Sequence, residues 1–475
     1  MKQKIQNFYG YGKVYVASEA FFWTLVGLFV AQTTYLAYMS AFQMAFDEAY
    51  HVRLIEFFST HVNPIIGTQT SYFDVGNILH SPSWLYHYVL SYPYRLFQLA
   101  GSEQATIIGL RFLNVGIAVS SLLVARKILT QLGVAFALRN LVLGLLMFTP
   151  VFTLLSAQTN YDNAVVLVSF LLLSLSISIR DALFVDKTFP VVPLLQWTTL
   201  SCFGSLIKYS VLPIVIGTGI WIAIMIVRFM RHDNARLTTI KQSVRSVSKP
   251  TLYIWTGLLV GGMALFATYY GMNVVRYHNP VPQCNQVLDV EKCKQYYAWN
   301  RNYTLALNRE NVPAIDGPMT YTYHWVVEVW YQMYAQIIPT GGIVPIAKFF
   351  YGSLLLLSAL GVLATLATVK TIAKKYPALL GLTFVSFIYL LLLWSRNYHD
   401  YTNLGAAVAV QGRYLAPVLL CYYALLVLGV AELISNRGTA AKRFGLVLYA
   451  YTLLLFIIFG GFVGYILHVL PNAKW

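Results

Sequence analysis

The reading of the fold turns on residues 20–51, AFFWTLVGLFVAQTTYLAYMSAFQMAFDEAYH. An apolar run of about 22 residues (20–41) is followed at once by Phe46-Asp47-Glu48-Ala49-Tyr50-His51. About 20 apolar residues cross the roughly 30 Å of a bilayer's hydrocarbon as a helix. The two acids and the imidazole therefore emerge where a helix leaves the membrane. An ionised carboxylate there must find a cation, a donor or water. If the stretch is helical, Asp47 and His51 are four apart and Glu48 and His51 three apart, so either pair can share a face. The plainer alternative is that Asp47 caps a surface helix and Glu48 faces water, because Asp is a favoured cap.

The rest of the chain repeats the first run. Of 475 residues, 58% are hydrophobic and only 11% charged, a composition that excludes an ordinary soluble domain. Apolar runs stand at about 20–41, 105–125, 136–156, 163–179, 190–206, 210–230, 251–272, 343–368, 377–394, 412–434 and 444–468. The expected fold is an all-α polytopic membrane protein of about eleven spans. It forms one integral membrane domain over 1–475, with no separate soluble domain. Two long connections, about 42–104 and 273–342, should carry interfacial helices, since both are dense in Tyr and Trp. The first segment lacks the short apolar core and A-x-A site of a cleaved signal peptide and reads as an uncleaved helix.

Charge orients the chain. With the N-terminus inside, 20 of the 33 Lys and Arg and 5 of the 17 acids fall at cytoplasmic helix ends, a net +15. The remaining 13 bases and 12 acids give the outer side only +1. The positive-inside rule requires this asymmetry. The overall +16 then faces anionic lipid heads rather than nucleic acid. A plasma-membrane protein with both long connections outside follows.

Polar residues gather at the outer helix ends. Asp162 opens the fourth span within Thr159-Asn160-Tyr161-Asp162-Asn163, where Asn160 or Asp162 could also serve as a plain cap. Lys208 sits between spans five and six, where a lysine must snorkel or pair with an anion. Arg396 follows span nine. Gln411-Gly412-Arg413-Tyr414-Leu415-Ala416-Pro417 enters span ten. There the guanidinium offers a bidentate fork and the glycine lets backbone approach a ligand. Asp74, His80, His87 and Arg95 lie among the first connection's aromatics. A possible divalent metal would draw on Glu48, His51 and Asp162, although no H-x-x-x-H spacing is present. Cys284 and Cys293 share an outer connection, where a disulfide is permitted.

These motifs resemble the GT-C superfamily of membrane glycosyltransferases. More narrowly they resemble a group of uncharacterised bacterial multi-span proteins that pair D-E-x-x-H with a late Q-G-R-Y-x-x-P. Asp47-Glu48-Ala49-Tyr50-His51 matches the first motif and Gln411 to Pro417 the second. The long first connection, the acid after span one and the second acid at Asp162 also match the GT-C layout. The resemblance implies a transferase that moves a sugar from a polyprenyl-phosphate donor to a glycan, lipid or protein acceptor. Asp47 would be the base, with Glu48 next in line. Arg413, Lys208 and Arg53 would answer the phosphate's charge, and His51, Asp162, Arg396 and Tyr414 would complete the substrate site. The alternatives are a transporter or flippase for a lipid-linked saccharide, and a polysaccharide polymerase. The span interiors are nearly free of charge, which favours chemistry at one surface over a polar path across the bilayer.

Overall fold

A computed structural model describes residues 15–45, 47–61, 81–99, 101–232, 236–311, 316–337, 343–344, 347–435, 437–461 and 464. The chain is an all-α polytopic membrane protein. Its helices are α1 (Glu19–Met39), α2 (Glu48–Thr60), α3 (Leu85–Gln98), α4 (Glu103–Gln131), α5 (Phe136–Met147), α6 (Pro150–Ser156), α7 (Asp162–Phe184) and α8 (Val191–Ile207). After a short 3-10 turn come α9 (Leu212–His232), α10 (Arg236–Ser246), α11 (Lys249–Phe266) and α12 (Met272–Tyr277). The second long connection holds α13 (Cys284–Val287), α14 (Val290–Cys293), α15 (Tyr297–Leu307) and α16 (Pro318–Tyr334). A two-stranded antiparallel pair, Gln336–Ile337 with Ile343–Val344, follows. The chain then runs through α17 (Lys348–Lys375), α18 (Pro377–Leu404), α19 (Ala416–Ser435) and α20 (Thr439–Phe459).

Among the described residues nine helical stretches are long and apolar enough to cross a membrane. The run at 136–156 is the pair α5 and α6, bent by 69° at Phe148–Thr149. The run at 190–206 is α8, 17 residues long and shorter than a full crossing. The eleven apolar runs thus all correspond to helices, but one is broken and one is short. Pro150 explains the break, since it has no N–H to donate and turns Thr149 away from helical geometry. The hydroxyls near the break bond to carbonyls: Thr149 Oγ1 to Leu145 O (2.7 Å) and Thr153 Oγ1 to Met147 O (3.0 Å). Backbone irregularity at membrane depth is tolerable only with such partners.

Side-chain contacts tie the helix ends into two groups. At one end Arg126 pairs with Glu19, Asn140 donates to Val16 O (2.9 Å), and Lys375 pairs with Glu432 (2.5 Å). At the other end Glu48 meets Arg111, Asp47 meets Arg413 and Asp162 meets Lys208. The chain enters α5 beside Val16 and leaves α6 beside Glu48, so the bent pair travels from the first end to the second. Large side chains on the outer faces, such as Leu363 (64% exposed) and Val447 (63%), are what lipid would cover.

Serine caps start two of the helices that carry the site, α1 at the first end and α4 at the second. Ser18 accepts from Phe21 N and starts α1; Ser102 accepts from Ala105 N (3.0 Å) and starts α4. In the second long connection Tyr321 and Trp325 on α16 turn inward against α18, and Trp325 Nε1 donates to Asn397 Oδ1 (3.0 Å). These aromatics are packed rather than spread in a belt.

A candidate active site at one end of the bundle

The site is built around one fully buried ion pair. Arg111, eight residues into α4, donates from Nε to Glu48 Oε1 (2.8 Å) and from Nη2 to Oε2 (2.7 Å). Its remaining donors reach Ala37 O (2.9 Å), Ser40 O (2.7 Å) and Ala41 O (3.0 Å). Those carbonyls belong to the last turn of α1 and the chain just past it, where no intrahelical partner exists. Glu48 also accepts from Met44 N (2.8 Å) and Thr159 N (3.1 Å). Both its oxygens are thus taken, and neither side chain is exposed. Glu48 joins α1, α2, α4 and the turn before α7. It does not face water, and it has no open lone pair for a substrate proton. Sequence reasoning missed Arg111, whose signal was a lone arginine inside an apolar helix.

Asp47 points the other way. It precedes α2 with φ 68° and ψ 30°, left-handed geometry that Asp adopts more readily than most residues. Its carboxylate makes no capping bond to the helix. Instead Asp47 Oδ2 accepts from Arg413 Nη2 at 3.3 Å, and the Asp47 side chain is 70% exposed while that of Arg413 is 5% exposed. Arg413 Nε stands 3.6 Å from Asp162 Oδ2, and Asp162 Oδ1 accepts from Lys208 Nζ at 2.6 Å. Asn160, not Asp162, serves the start of α7, its Oδ1 accepting from Asp162 N (2.9 Å). That leaves the Asp162 carboxylate to the two cations. Lys208 pairs rather than snorkels. Its ammonium lies 4.2 Å from the Tyr161 ring and 5.1 Å from the Tyr414 ring, over which Arg413 also sits at 5.3 Å.

Gly412 positions Arg413 by close approach to protein rather than to a ligand. A Cβ there would stand 2.4 Å from Met333 N and 2.6 Å from Gln332 C, so the 3-10 turn Gly412–Leu415 lies directly on the end of α16.

Behind this row the imidazoles of His51 and His87 share a hydrogen bond, Nδ1 to Nε2 at 2.9 Å, and both are buried. His51 packs on Tyr161 at 4.4 Å between ring centroids, on the ring that also receives Lys208. Burial pushes His51 well below the usual imidazole range, and His87, Arg413 and Lys208 add to the effect. Burial also lowers His87, to about 3, against a raising contribution from the Ser83 backbone. Tyr50, beside Asp47, is pushed well above its ordinary value by burial first and by Tyr296, Tyr161 and Asp47 after it.

Other expected site residues lie apart. Arg53 is exposed on α2, and Arg396, 65% exposed, pairs with Asp400 on its own helix (3.1 Å). Neither joins the cluster among the described residues. Asp74 and His80 lie outside the described residues. The three residues considered for a metal are separated by their partners: Arg111 holds Glu48, His87 holds His51 and Lys208 holds Asp162. Among the described residues no group of three or more His, Cys, Asp or Glu side chains is placed to hold a metal ion. Cys284 and Cys293 form a disulfide between α13 and α14.

The arrangement sets an exposed carboxylate against a buried guanidinium, backed by a second acid and an ammonium. It can take up a proton at Asp47 and bind an anion at Arg413 within one row of ion pairs. Comparison with protein-family models, curated proteins and solved structures gives no match.

Proposed function

We propose that the protein is a GT-C-type glycosyltransferase that uses a polyprenyl-phosphate sugar at the outer face of the plasma membrane. One observation carries the reading. Asp47, the acid singled out by position, neither caps its helix nor pairs inside the core but is held at the surface by Arg413. A base and an anion-binding cation are therefore adjacent at one end of a membrane bundle. The outward orientation is supported by the charge asymmetry, because the site's end is the one that carries little net charge.

Asp47 and Arg413 divide the work. The acceptor hydroxyl attacks the anomeric carbon and Asp47 takes its proton, so an oxygen–carbon bond forms. The bond from that carbon to the phosphate oxygen breaks, and its electron pair leaves with the prenyl phosphate. Arg413, with Lys208 behind it, meets the growing negative charge. Asp47 occupies Arg413 until a phosphate oxygen takes its place, and the released carboxylate is then free for the proton. Glu48 holds the start of α2, and Asp162 keeps Arg413 and Lys208 in register.

The test is release of prenyl phosphate from a panel of polyprenyl-phosphate sugars incubated with purified protein and candidate acceptors. Asp47→Asn should lower turnover by about two to four decades, the usual contribution of a positioned base, while the exposed site lets the protein fold normally. Binding of a lipid-linked saccharide without release of prenyl phosphate would replace this reading with a transporter. Unchanged turnover in Asp47→Asn would move the base elsewhere.

A further inference from the structure

A cavity runs between the helices outside the Asp47 cluster. It holds about 660 Å³ between α5, α17, α19 and α20. Its walls are aliphatic, with Leu138, Leu145, Leu357 and Val430 among them. One end of it is lined by Lys442 and Arg443 at the start of α20, with Ser435 and Thr439. That is the end of the bundle marked by Lys375–Glu432, opposite the candidate active site. The deep end is closed by Tyr334 and Tyr423. Their hydroxyls are satisfied by each other (3.3 Å), and Tyr423 also bonds to Thr149 Oγ1 (2.6 Å).

We infer that this crevice is a binding site for an anionic phospholipid of the leaflet at the basic end, with the head at Lys442 and Arg443 and one acyl chain along the walls. Close-packed interiors do not leave so large and mainly apolar a space unfilled. The polar groups fix the direction of the occupant. Two cations and two hydroxyls at that end suit a phosphate headgroup, whereas at the far end the Tyr334 and Tyr423 hydroxyls are already paired; the Tyr449 hydroxyl, between the two, has no hydrogen-bond partner among the described residues. The length agrees with one chain. Lys442 to Phe456 spans about 21 Å of helix, somewhat more than the roughly 15 Å of one leaflet's hydrocarbon. The charge agrees too, because the basic end faces the anionic lipid surface.

The experiment uses the full chain in phosphatidylcholine nanodiscs containing a trace of phosphatidylglycerol with a photoreactive acyl chain. Cross-links are mapped by mass spectrometry. Labelling should concentrate on Leu357 and Tyr449, several-fold above the outward-facing Leu363. It should fall several-fold when photoreactive phosphatidylcholine replaces phosphatidylglycerol. Lys442→Gln with Arg443→Gln, both surface changes, should remove the preference for phosphatidylglycerol. Val430→Trp should fill the crevice and abolish labelling of Tyr449. Equal labelling by the two lipids, or labelling no greater than at Leu363, would overturn the proposal. So would protein–protein cross-links placing residues 1–14 or a second copy in the crevice.

Discussion

Glu48 and Arg111 lie fork to fork with no exposed surface, Oε1 to Nε at 2.8 Å and Oε2 to Nη2 at 2.7 Å. Removing one partner of such a pair leaves a buried charge uncompensated, at about 3–5 kcal/mol. Glu48→Gln should therefore lower the thermal stability of the detergent-purified protein sharply, and activity should fall with the folded fraction. A Glu48→Gln protein that melts like wild type but has lost turnover would make Glu48 a chemical residue instead.

Arg413 serves two carboxylates that a lysine could not serve together, because its Nη2 faces Asp47 and its Nε faces Asp162. Arg413→Lys keeps the charge and loses one of these contacts. A charge-assisted hydrogen bond contributes about 1.5–3 kcal/mol, so kcat/KM should drop about one to two decades. Titration of donor binding in detergent, where no bilayer phosphates compete, is the direct check. Wild-type affinity in Arg413→Ala would show that the arginine does not hold the donor.

The imidazole pair predicts acid sensitivity. His51 and His87 both have folded pKa values below the unfolded value of about 6.5. Their contribution is fully present above pH 6.5. It is lost as the pH falls from there toward about 3 for His87, because the unfolded chain takes up protons that the folded pair refuses. Each such proton steepens the loss by up to about 1.4 kcal/mol per pH unit. Melting temperature should decline between pH 6.5 and 4, and a His51→Leu/His87→Leu double variant should show a visibly flatter decline. The same slope in that variant would place the acid response in other groups.

Gly412→Ala must displace either its own turn or the end of α16, since the nearest atoms are backbone. Overpacking of this kind costs about 1–3 kcal/mol, and here it moves Arg413 as well. Turnover should fall more than stability does. Gly438→Ala, where a Cβ meets nothing within 4 Å, is the matched control and should leave both unchanged.

The fold was legible because hydrocarbon thickness imposes a run length that composition reveals directly. Helix ends were less so. Residues 105–125 lie within a helix that continues to Gln131, because Arg126 pairs with Glu19 on a turn beyond the apolar stretch. Span nine continues from 394 to Leu404, on a turn carrying the Arg396–Asp400 pair. Within the site, Asp47, Asp162, Lys208 and Arg413 each stood out as charge at a helix end, and they converge. Adjacency misled at Glu48: Asp47 precedes α2 in left-handed geometry while Glu48 is its first helical residue, so one acid reaches the surface and the next the core. The glycine of Gln411-Gly412-Arg413 was expected to admit a ligand. It admits α16, a contact between segments some 80 positions apart that no local pattern announces.

The break at Thr149–Pro150 has a consequence for where the chemistry sits. Taken along the bilayer normal, the 12 residues of α5 climb about 18 Å and the seven of α6, turned by 69°, only about 4 Å more. Together they stop short of the roughly 30 Å of hydrocarbon. The turn that follows, with Thr159 on Glu48 and Asp162 on Lys208, therefore begins at a lower level than a straight crossing would reach. Under the proposed function, such a level suits a saccharide carried on a hydrocarbon tail, which would reach it by sliding sideways within the lipid.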